Sequence, residues 1–373
     1  MCMARLALLL VLIAALTSSA VASAPVRVSL VGKRSVPIAG RTWKAQLAVR
    51  PRTFRGAVRV KAMGGGRIQA RASQRRGSYV ARLVFPAAGR WVLTASAGGS
   101  TSRLGSVRVL RPRLPLILTE PTAIDWEPAG TLLVVENSIG RLLRVDPATG
   151  RVAVVASGLT RPYAVVRAPS GAIFVTTANV LKRIDGTGAA ATVAEADSDI
   201  GPLTVGANGD VFYSTATRIF RLAGGAGPPV LVAGTGVQGG GGDGGPAVDA
   251  QLSSPHGLAV AADGALLVAD SGNNRIRRID SASGVITRLA DVGTPHGMDV
   301  GVDGTIYVVE ADSRRIVHLT ASGARIGLVG PRFGLPYDVE VAADGVVYVL
   351  EAGPSGRVRR IGLDGKVTTV SRR

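Results

Sequence analysis

The sequence predicts an all-β protein in which a small β-sandwich precedes a six-bladed β-propeller. Residues 25–112 are short runs of alternating apolar and polar residues, broken by Gly and Pro, which is typical of sandwich strands. Residues 121–373 repeat one pattern six times. Four short strands in a period of roughly 40 residues make one propeller blade. No stretch of useful length shows a helical period.

Residues 1–24 are predicted to be a signal peptide. Arg5 precedes an apolar run, residues 6–16, that is too short to span a bilayer. Ala20-Val21-Ala22 then provides the small-x-small pattern of a signal peptidase site. A retained membrane anchor is the alternative, but polar residues interrupt the run early. We expect a mature chain without a transmembrane segment that is extracytoplasmic, either secreted or associated with the cell envelope.

Several classes of catalytic site are excluded by residue type. The one cysteine, Cys2, lies in the predicted signal peptide, so the mature chain has no disulfide, thiol nucleophile or thiolate metal site. Neither a Gly-x-Ser-x-Gly elbow nor a His-Glu-x-x-His motif is present. The glycine-rich segment 236–245 lacks the Gly-Lys-Ser/Thr of a phosphate-binding loop. It is predicted to be a loop that packs over one face of the ring.

Charge is divided sharply between the two predicted domains. Residues 25–115 contain 20 Lys and Arg and no Asp or Glu, whereas residues 116–373 contain 23 and 25. So many like charges in one small domain repel one another, which disfavours its compact state. We therefore expect residues 25–112 to contact an anionic envelope surface, either acidic lipid headgroups or wall polymers. The alternative is a solvent-exposed surface whose charge is balanced by counterions alone. Nucleic acid is not expected, because aromatic side chains for base stacking are few.

A proline opens each of the six repeat units. Successive prolines are separated by 41, 40, 53, 40 and 41 residues, and the long gap contains the glycine-rich insertion 236–250. Residues 113–120, which precede the first unit, are predicted to be a short, stiff linker. The opening prolines are Pro121, Pro162, Pro202, Pro255, Pro295 and Pro336.

The fourth unit shows the repeat best and carries a family resemblance. Its strands are predicted at 258–260, 266–270, 275–280 and 285–289, with a tight turn at Asp263-Gly264. The segments Gly242–Ala247, Pro255-His256-Gly257 and Ala269–Ile276 resemble an NHL repeat, and weaker units keep parts of the pattern. The resemblance implies an NHL-type propeller, a fold that often binds partners at one face. In the first domain, Tyr79–Gly98 resembles the closing hairpin of bacterial immunoglobulin-like domains.

Two repeated polar positions are interpreted as structural. The second strand of a unit ends in Glu136, Asp270, Glu310 or Glu351, and a carboxylate there can accept backbone N–H bonds from the following turn. His318 occupies a third-strand position that is Arg in the other units. It is therefore predicted to lie on the outer part of a blade.

The residue after each opening proline is predicted to lie at the mouth of the central channel. These residues vary, as functional positions do, and Pro-His-Gly occurs twice. His256 and His296 are the candidate catalytic residues, because imidazoles bind metals or move protons. Tyr163, Tyr337, Asp338 and Thr122 are the candidate ligand-binding residues. The six positions are Thr122, Tyr163, Leu203, His256, His296 and Tyr337.

Resemblance to propeller enzymes adds a candidate metal site. Peptide-amidating lyases hold zinc through channel histidines, gluconolactonase-like propellers hold a divalent ion with Glu, Asn and Asp, and streptogramin lyases use a channel histidine. His256 and His296 resemble channel positions of such sites, and Glu120 resembles the first carboxylate of the gluconolactonase type. The resemblance implies a divalent metal, zinc or calcium, held by Glu120, His256 and His296. A third histidine is missing, and histidines stand where the lactonases have Asn and Asp.

Two functions of different classes follow. The first is a binding or scaffold protein that recognises a protein, peptide or glycan at a propeller face, with its basic sandwich on an anionic surface. The second is an extracytoplasmic, metal-dependent lyase or lactonase-type hydrolase with its site at the central channel. The separation of the two imidazoles distinguishes them, because two nitrogens that share a metal at roughly 2.0–2.1 Å lie within about 3.5 Å of one another.

Overall fold

The structure is a computed structural model that describes residues 11–13, 26–30, 37, 39, 42–50, 57–64, 66–75, 78–85, 89–97, 100–109 and 114–372. The chain divides into two compact units, residues 1–113 and residues 114–372. The predicted signal peptide lies outside the described residues apart from Val11–Ile13. Among the described residues, no helix is both long and apolar enough to cross a membrane.

The first unit consists of antiparallel strands. Val11–Ile13, inside the predicted signal peptide, pairs with the next strand through Val11 and Val28. Beyond it come seven strands, the number expected for the sandwich. The strands are β1 Val11–Ile13, β2 Val26–Leu30, β3 Thr42–Arg50, β4 Val58–Gly64, β5 Gly66–Arg75, β6 Ser78–Val84, β7 Gly89–Ala97 and β8 Ser100–Val109.

Strand order in this unit corrects the predicted hairpin at 79–98. The order is β1-β2-β3-β6-β5-β4-β7-β8, so β6 pairs with β3 and β5, whereas β7 pairs with β4 and β8. The chain thus crosses from one half of the sheet to the other, which places the rings of Trp43, Phe85 and Trp91 in one buried core. The all-β class is confirmed, and the immunoglobulin-like description stays a prediction.

The second unit contains six four-stranded antiparallel sheets, each built from consecutive strands. Every sheet follows the repeat expected from the sequence, because the short apolar runs are separated by turns. Blade one is β10 Pro121–Glu127, β11 Thr131–Glu136, β12 Arg141–Val145 and β13 Val152–Ser157; blade two is β14 Pro162–Arg167, β15 Ile173–Thr177, β16 Val180–Ile184 and β17 Ala190–Glu195; blade three is β18 Leu203–Val205, β19 Val211–Ser214, β20 Ile219–Leu222 and β21 Val230–Ala233.

Blades four to six keep the same order. The strands of blade four agree with the sequence prediction within a few residues. Blade four is β22 Pro255–Val260, β23 Leu266–Asp270, β24 Arg275–Ile279 and β25 Ile286–Asp291; blade five is β26 Pro295–Val300, β27 Ile306–Glu310, β28 Arg315–Leu319 and β29 Arg325–Val329; blade six is β30 Pro336–Val341, β31 Val347–Glu351, β32 Arg357–Ile361 and β33 Val367–Thr369.

The first strands of the six blades form a closed ring. Each contacts the first strand of both neighbouring blades, and β30 of the last blade contacts β10 of the first. The opening prolines start or directly precede these strands, so the repeat period corresponds to one blade. Apolar side chains of adjacent blades pack together in shared clusters. The propeller is thus stabilised mainly between blades rather than within them.

Residues 114–118 differ from the predicted linker because they pair with the propeller. Strand β9, Leu114–Pro115, pairs with β34, Ser371–Arg372, at the other end of the unit. The Leu118 N–H donates to the Gly356 carbonyl at 2.8 Å. Leu116 and Leu118 are buried with side chains of blades one and six. The alternating apolar residues of this segment therefore help close the ring.

The carboxylates that end the second strands have a structural role, but with a different partner from the one expected. Glu136, Asp270 and Glu351 accept an N–H from a residue 17 positions earlier, just before the opening proline of the same blade, at 2.6–2.8 Å. Each also contacts an arginine on the third strand. These carboxylates therefore fix the segment through which the chain enters the blade.

The glycine-rich insertion is held against blade four by Arg277, a residue that the sequence pattern did not single out. Arg277 is completely buried. Its guanidinium donates to Asp243 at 2.9 Å and to the carbonyls of Gln251 and Gly241 at 2.7 and 3.1 Å. Asp270, also completely buried, lies 3.6 Å away. Because Asp243, Gln251 and Gly241 belong to the insertion or its end, Arg277 helps to order this segment, together with Arg275, which pairs with Asp243 at 3.1 Å.

Candidate ligand-binding site at the channel mouth

A cavity of about 190 Å³ lies among the first strands of the propeller. Five of the six residues that follow an opening proline line it, because they occupy the same position in each first strand. Asp338, predicted as a ligand-binding residue, lines it too. The five residues are Thr122, Tyr163, Leu203, His256 and Tyr337.

The sixth position, His296, completes a series of rings across the mouth. The Nδ1 of His256 lies 3.4 Å from the Nε2 of His296, and the rings meet edge to face at 78°. The His296 ring meets Tyr337 at 88°, and the hydroxyls of Tyr337 and Tyr163 are hydrogen-bonded at 2.9 Å. We call His256, His296, Tyr337 and Tyr163 the ring quartet. It joins blades four, five, six and two.

The ring quartet is uncharged at neutral pH. Burial lowers the pKa of His256. Burial and the neighbouring His256 lower the pKa of His296 to about 4. Burial raises the pKa values of Tyr163 and Tyr337. Nδ1 of His296 is buried and has no hydrogen-bond partner among the described residues. The quartet therefore presents neutral imidazoles and phenols to a ligand.

The glycine of each Pro-His-Gly motif has a packing role. A Cβ on Gly257 would lie 2.3 Å from the His296 carbonyl oxygen, and a Cβ on Gly297 would lie 2.0 Å from the Asp338 carboxylate. Only glycine lets the neighbouring first strands approach this closely. The histidine and the glycine of the motif thus serve different purposes, since one faces the mouth and the other permits the strands to meet.

Four carboxyl groups line the same cavity from blades one, five and six. We call Asp125, Asp299, Asp338 and Glu340 the acid cluster. Each accepts a backbone N–H from the first strand of the following blade, which closes three adjacent junctions of the ring. The bonds are Asp125 to Arg167 at 3.0 Å, Asp299 to Val341 at 2.8 Å, Asp338 to Ile124 at 2.9 Å and Glu340 to Trp126 at 3.3 Å.

The acid cluster is held partly protonated by its surroundings. Burial raises the pKa of Asp338 to about 7 and that of Asp299 to about 6. Burial raises the pKa values of Asp125 and Glu340 as well, and the other carboxyls of the cluster raise them further. No Lys or Arg is among the residues that line this cavity. The cavity therefore favours a ligand that donates hydrogen bonds.

The residues present fit a metal only in part. Two metal–nitrogen bonds of roughly 2.0–2.1 Å across 3.4 Å make an angle of about 110°, which suits tetrahedral zinc. However, the described residues contain no group of three His, Cys, Asp or Glu side chains placed to hold an ion. A catalytic zinc site uses three protein ligands. The predicted trio of Glu120, His256 and His296 is thus not assembled, and we derive no step through a metal.

Glu120 and His318 lie away from the cavity. Glu120 is exposed, and its backbone has a φ of 46° directly before Pro121. Arg161, Ser254 and Thr294 have the same left-handed geometry before their opening prolines. The left-handed backbone before the opening proline therefore sets the position of Glu120. It would place any other residue there in the same way. His318 stacks on Tyr307 in blade five, with ring centroids 4.8 Å apart.

A second cavity of about 260 Å³ borders the first. Tyr163 and His256 line both, so these two side chains form part of the boundary between them. The second cavity also contains Arg161 and Asp199, whose side chains form an exposed ion pair at 3.2 Å. A ligand larger than the first cavity can therefore extend over blades two to four.

A family model named NHL repeat matches residues 252–279, which correspond to the first three strands of blade four. A search of the curated proteins gives no match. The sequence resemblance to NHL repeats is thus supported for the blade in which it is most complete.

Solved propeller structures are similar to this chain in fold. A gluconolactonase of Xanthomonas campestris is 17% identical with a TM-score of 0.54, over 65% of this chain and 86% of that chain. A virginiamycin B lyase of Staphylococcus aureus is 19% identical with a TM-score of 0.52, over 69% and 87%. A catalytically inactive variant of that lyase, with one histidine changed to alanine, was solved with quinupristin; it is 19% identical with a TM-score of 0.51, over 69% and 87%. At these identities the similarity concerns the propeller fold alone.

Proposed function

We propose that the propeller binds a glycan, with one sugar unit in the cavity at the channel mouth. The observation that carries the proposal is the composition of this cavity, which the acceptor groups of the acid cluster line together with the rings of Tyr163, His256 and Tyr337. Sugar hydroxyls are hydrogen-bond donors for carboxyl oxygens and imidazole nitrogens. The apolar face of a sugar ring packs against tyrosine, whose body is apolar and whose tip is polar.

A glycan fits this site better than an anionic group does. The ring quartet is neutral, and the acid cluster disfavours an anionic ligand. The second cavity adds Asn137 and Thr215 as hydrogen-bonding side chains beyond Tyr163. These residues can take a further sugar unit, which supports an oligosaccharide rather than a single sugar.

We expect a His256→Ala substitution to weaken binding of neutral oligosaccharides by about tenfold, since a ligand hydrogen bond and its packing are lost. The measurement is calorimetric titration of the full chain with oligosaccharides of glucose and of N-acetylglucosamine. His318→Ala is the matched control, because it removes the same side chain from blade five outside the cavity. Absence of sugar binding by the unsubstituted protein, or equal losses in the two variants, would contradict the proposal.

A lactonase-type hydrolase or a lyase is the second candidate, and the paired imidazoles favour it. Ring nitrogens 3.4 Å apart at the edge of a cavity allow His296 to position His256 through one hydrogen bond. His256 is neutral at pH 7 and can accept a proton, from water in a hydrolase or from a substrate carbon in a lyase. The resulting imidazolium then returns the proton to the leaving oxygen. Propellers of similar fold that bear the names gluconolactonase and virginiamycin B lyase add support.

For this candidate, His256→Ala should lower kcat for lactone opening by about a hundredfold, the usual contribution of a general base. Base titration with gluconolactone as the probe follows the reaction directly. Because burial lowers the pKa of His256, kcat/KM should begin to fall at a lower pH than it would for a free imidazole. Binding of sugars without lactone turnover would support the glycan proposal and contradict the enzymatic one. Lactone turnover that is unaffected by His256→Ala would refute this mechanism.

A further inference from the structure

The first unit presents a regular cationic face, and an inference about it is independent of the proposed function of the propeller. Alternate residues of strands β4 and β7 are buried, so the intervening residues point outward. Arg59, Arg67, Arg71, Arg90 and Arg103 are exposed, and Lys61 is half-buried on the same side. We call the outward side of β5-β4-β7-β8, with these six cations, the basic face.

Strand register places like charges directly opposite each other on this face. Arg59 pairs with Arg71 across β4 and β5. Side chains opposite one another in an antiparallel pair are about 5 Å apart, and like charges there are destabilising. Residues 25–115 contain no carboxylate that relieves the repulsion. An anionic ligand would therefore gain the energy of relieving it as well as its own contacts.

The cations of the basic face extend in two directions, along the strands and across them. This arrangement favours an extended ligand over a small anion. Four strands at about 4.8 Å spacing span roughly 14 Å, and Arg67 and Arg71 are about 13 Å apart along β5. The outward positions on either side of Lys61 are polar, with Gln69 on β5 and Thr94 on β7. A polymer that carries a charge on every unit can contact several of these cations at once, whereas one phosphate ion reaches one or two.

Side chains on the basic face favour phosphate groups and disfavour a bilayer. Five of the six cations are arginines, whose planar guanidinium matches phosphate oxygens in pairs. Binding in a membrane interface needs apolar or aromatic side chains that enter the bilayer. Met63 is the one exposed apolar side chain among the described residues of this face. Trp43, Tyr79, Phe85 and Trp91 are buried in the core, so they offer no stacking surface for nucleic acid bases.

We infer that the basic face is a docking surface for a linear phosphate polymer. The guanidinium groups pair with successive phosphates of one chain that lies across the four strands. Such binding is multivalent and releases counterions, so it weakens steeply as the salt concentration rises. It also depends on polymer length, because monomeric phosphate cannot engage distant cations together.

The test compares two double variants of the full chain that lose the same charge. Arg59→Ser with Arg71→Ser removes the opposed pair from the basic face, whereas Lys44→Ser with Arg82→Ser removes an opposed pair of exposed cations from β3 and β6. Long-chain inorganic polyphosphate is the probe, with orthophosphate and vesicles of equal parts phosphatidylglycerol and phosphatidylcholine as comparisons. Thermal unfolding checks the fold of each variant, and neither should be less stable, because each loses a repulsion.

We expect the Arg59/Arg71 variant to bind polyphosphate about tenfold more weakly than the unsubstituted protein at low salt. Its salt dependence should fall by about one unit of slope for each lost phosphate contact. The Lys44/Arg82 variant should remain within about twofold. Equal losses in both variants would show that the charge acts diffusely and would overturn the assignment of the face. Binding to the vesicles without binding to polyphosphate would overturn the choice of ligand.

Discussion

Replacement of Arg277 by methionine is expected to lower the free energy of unfolding of the propeller by about 3–5 kcal/mol. The reason is that the substitution removes one partner of a completely buried ion pair and leaves Asp243 and Asp270 to share the side chain of Arg275. Asp243 and Asp270 lose one of the cations that contact them, and the Gln251 carbonyl loses its guanidinium donor. The Gly241 carbonyl also loses the guanidinium but keeps the Gln251 N–H. Methionine has a similar length, so the effect of an empty cavity is small.

The matched control is Arg278→Met in the next position of the same strand. Arg278 is about a quarter exposed and pairs with Asp263, which is mostly exposed, so its loss should cost less than about 1 kcal/mol. Hydrogen exchange in urea, followed in peptides from residues 236–291, reports on blade four separately from the first unit. Similar protection in the two variants would show that Arg277 does not anchor the insertion.

The fold was predictable because its signals are periodic. Six prolines at nearly constant spacing identified the blades, and each proline starts or precedes a first strand. The insertion was recognised by its length and glycine content, but its anchor was not. Arg277 occupies a position that is apolar in blades one, three and five and cationic in blades two and six, so the repeat does not specify its role; the other residues are Leu143, Lys182, Phe220, Val317 and Arg359. Burial of an arginine there depends on a partner 34 residues away, which no local pattern reveals.

The candidate site was predictable in part, because its residues also recur at a fixed position of the repeat. Residues after the opening prolines were identified from their register, and the structure brings five of them to one cavity with His296 alongside. Asp125, Asp299 and Glu340 were missed, although they share the fourth position after their opening prolines. Comparison of that position across the repeats would have revealed three acids in adjacent blades. Glu120 was chosen by resemblance, and the left-handed backbone before Pro121 carries it elsewhere.

Other predictions concern segments or partners for which the fold provides no test. Export of the chain rests on residues 1–24, and these remain a sequence prediction. The contact between residues 25–112 and an anionic partner likewise rests on charge, and the basic face is our proposal for where it occurs. Both are separate from the propeller, whose chemistry is concentrated at the channel.

The acid cluster should make the propeller less stable as the pH rises from 6.5 to 8.5. Burial raises the pKa of Asp338 to about 7, whereas an aspartate in the unfolded chain has a pKa of about 3.9. The folded protein therefore binds more protons than the unfolded chain between these values, and its stability falls as the pH rises through about 7. Asp338 alone contributes about 1 kcal/mol across this range. Asp125 and Glu340, whose pKa values are also raised, add to the loss.

The histidines change the stability in the opposite direction at the lower end of this pH range. His256 and His296 have lowered pKa values, so the unfolded chain binds protons that the folded chain does not, and stability from this source is lost as the pH falls below about 6.5. Between pH 4 and 6.5 the imidazoles and the carboxyls therefore act in opposite directions. At pH 6.5 about half of each imidazole is still protonated in the unfolded chain, so the histidines gain stability between pH 6.5 and 7.5 and offset part of the loss from the acid cluster.

Asp338→Asn provides the decisive comparison. The amide oxygen of asparagine can still accept the Ile124 N–H, which Asp338 accepts at 2.9 Å, but the side chain no longer titrates. Thermal unfolding of the propeller at pH 6.5, 7.5 and 8.5 should show a melting temperature that falls for the unsubstituted protein and falls less for the variant. His256→Ala should make the fall steeper between pH 6.5 and 7.5, because it removes an imidazole that in the unfolded chain still titrates there. An equal change of melting temperature with pH in the unsubstituted protein and the Asn variant would show that Asp338 is already ionised at pH 6.5 and carries its charge within the channel.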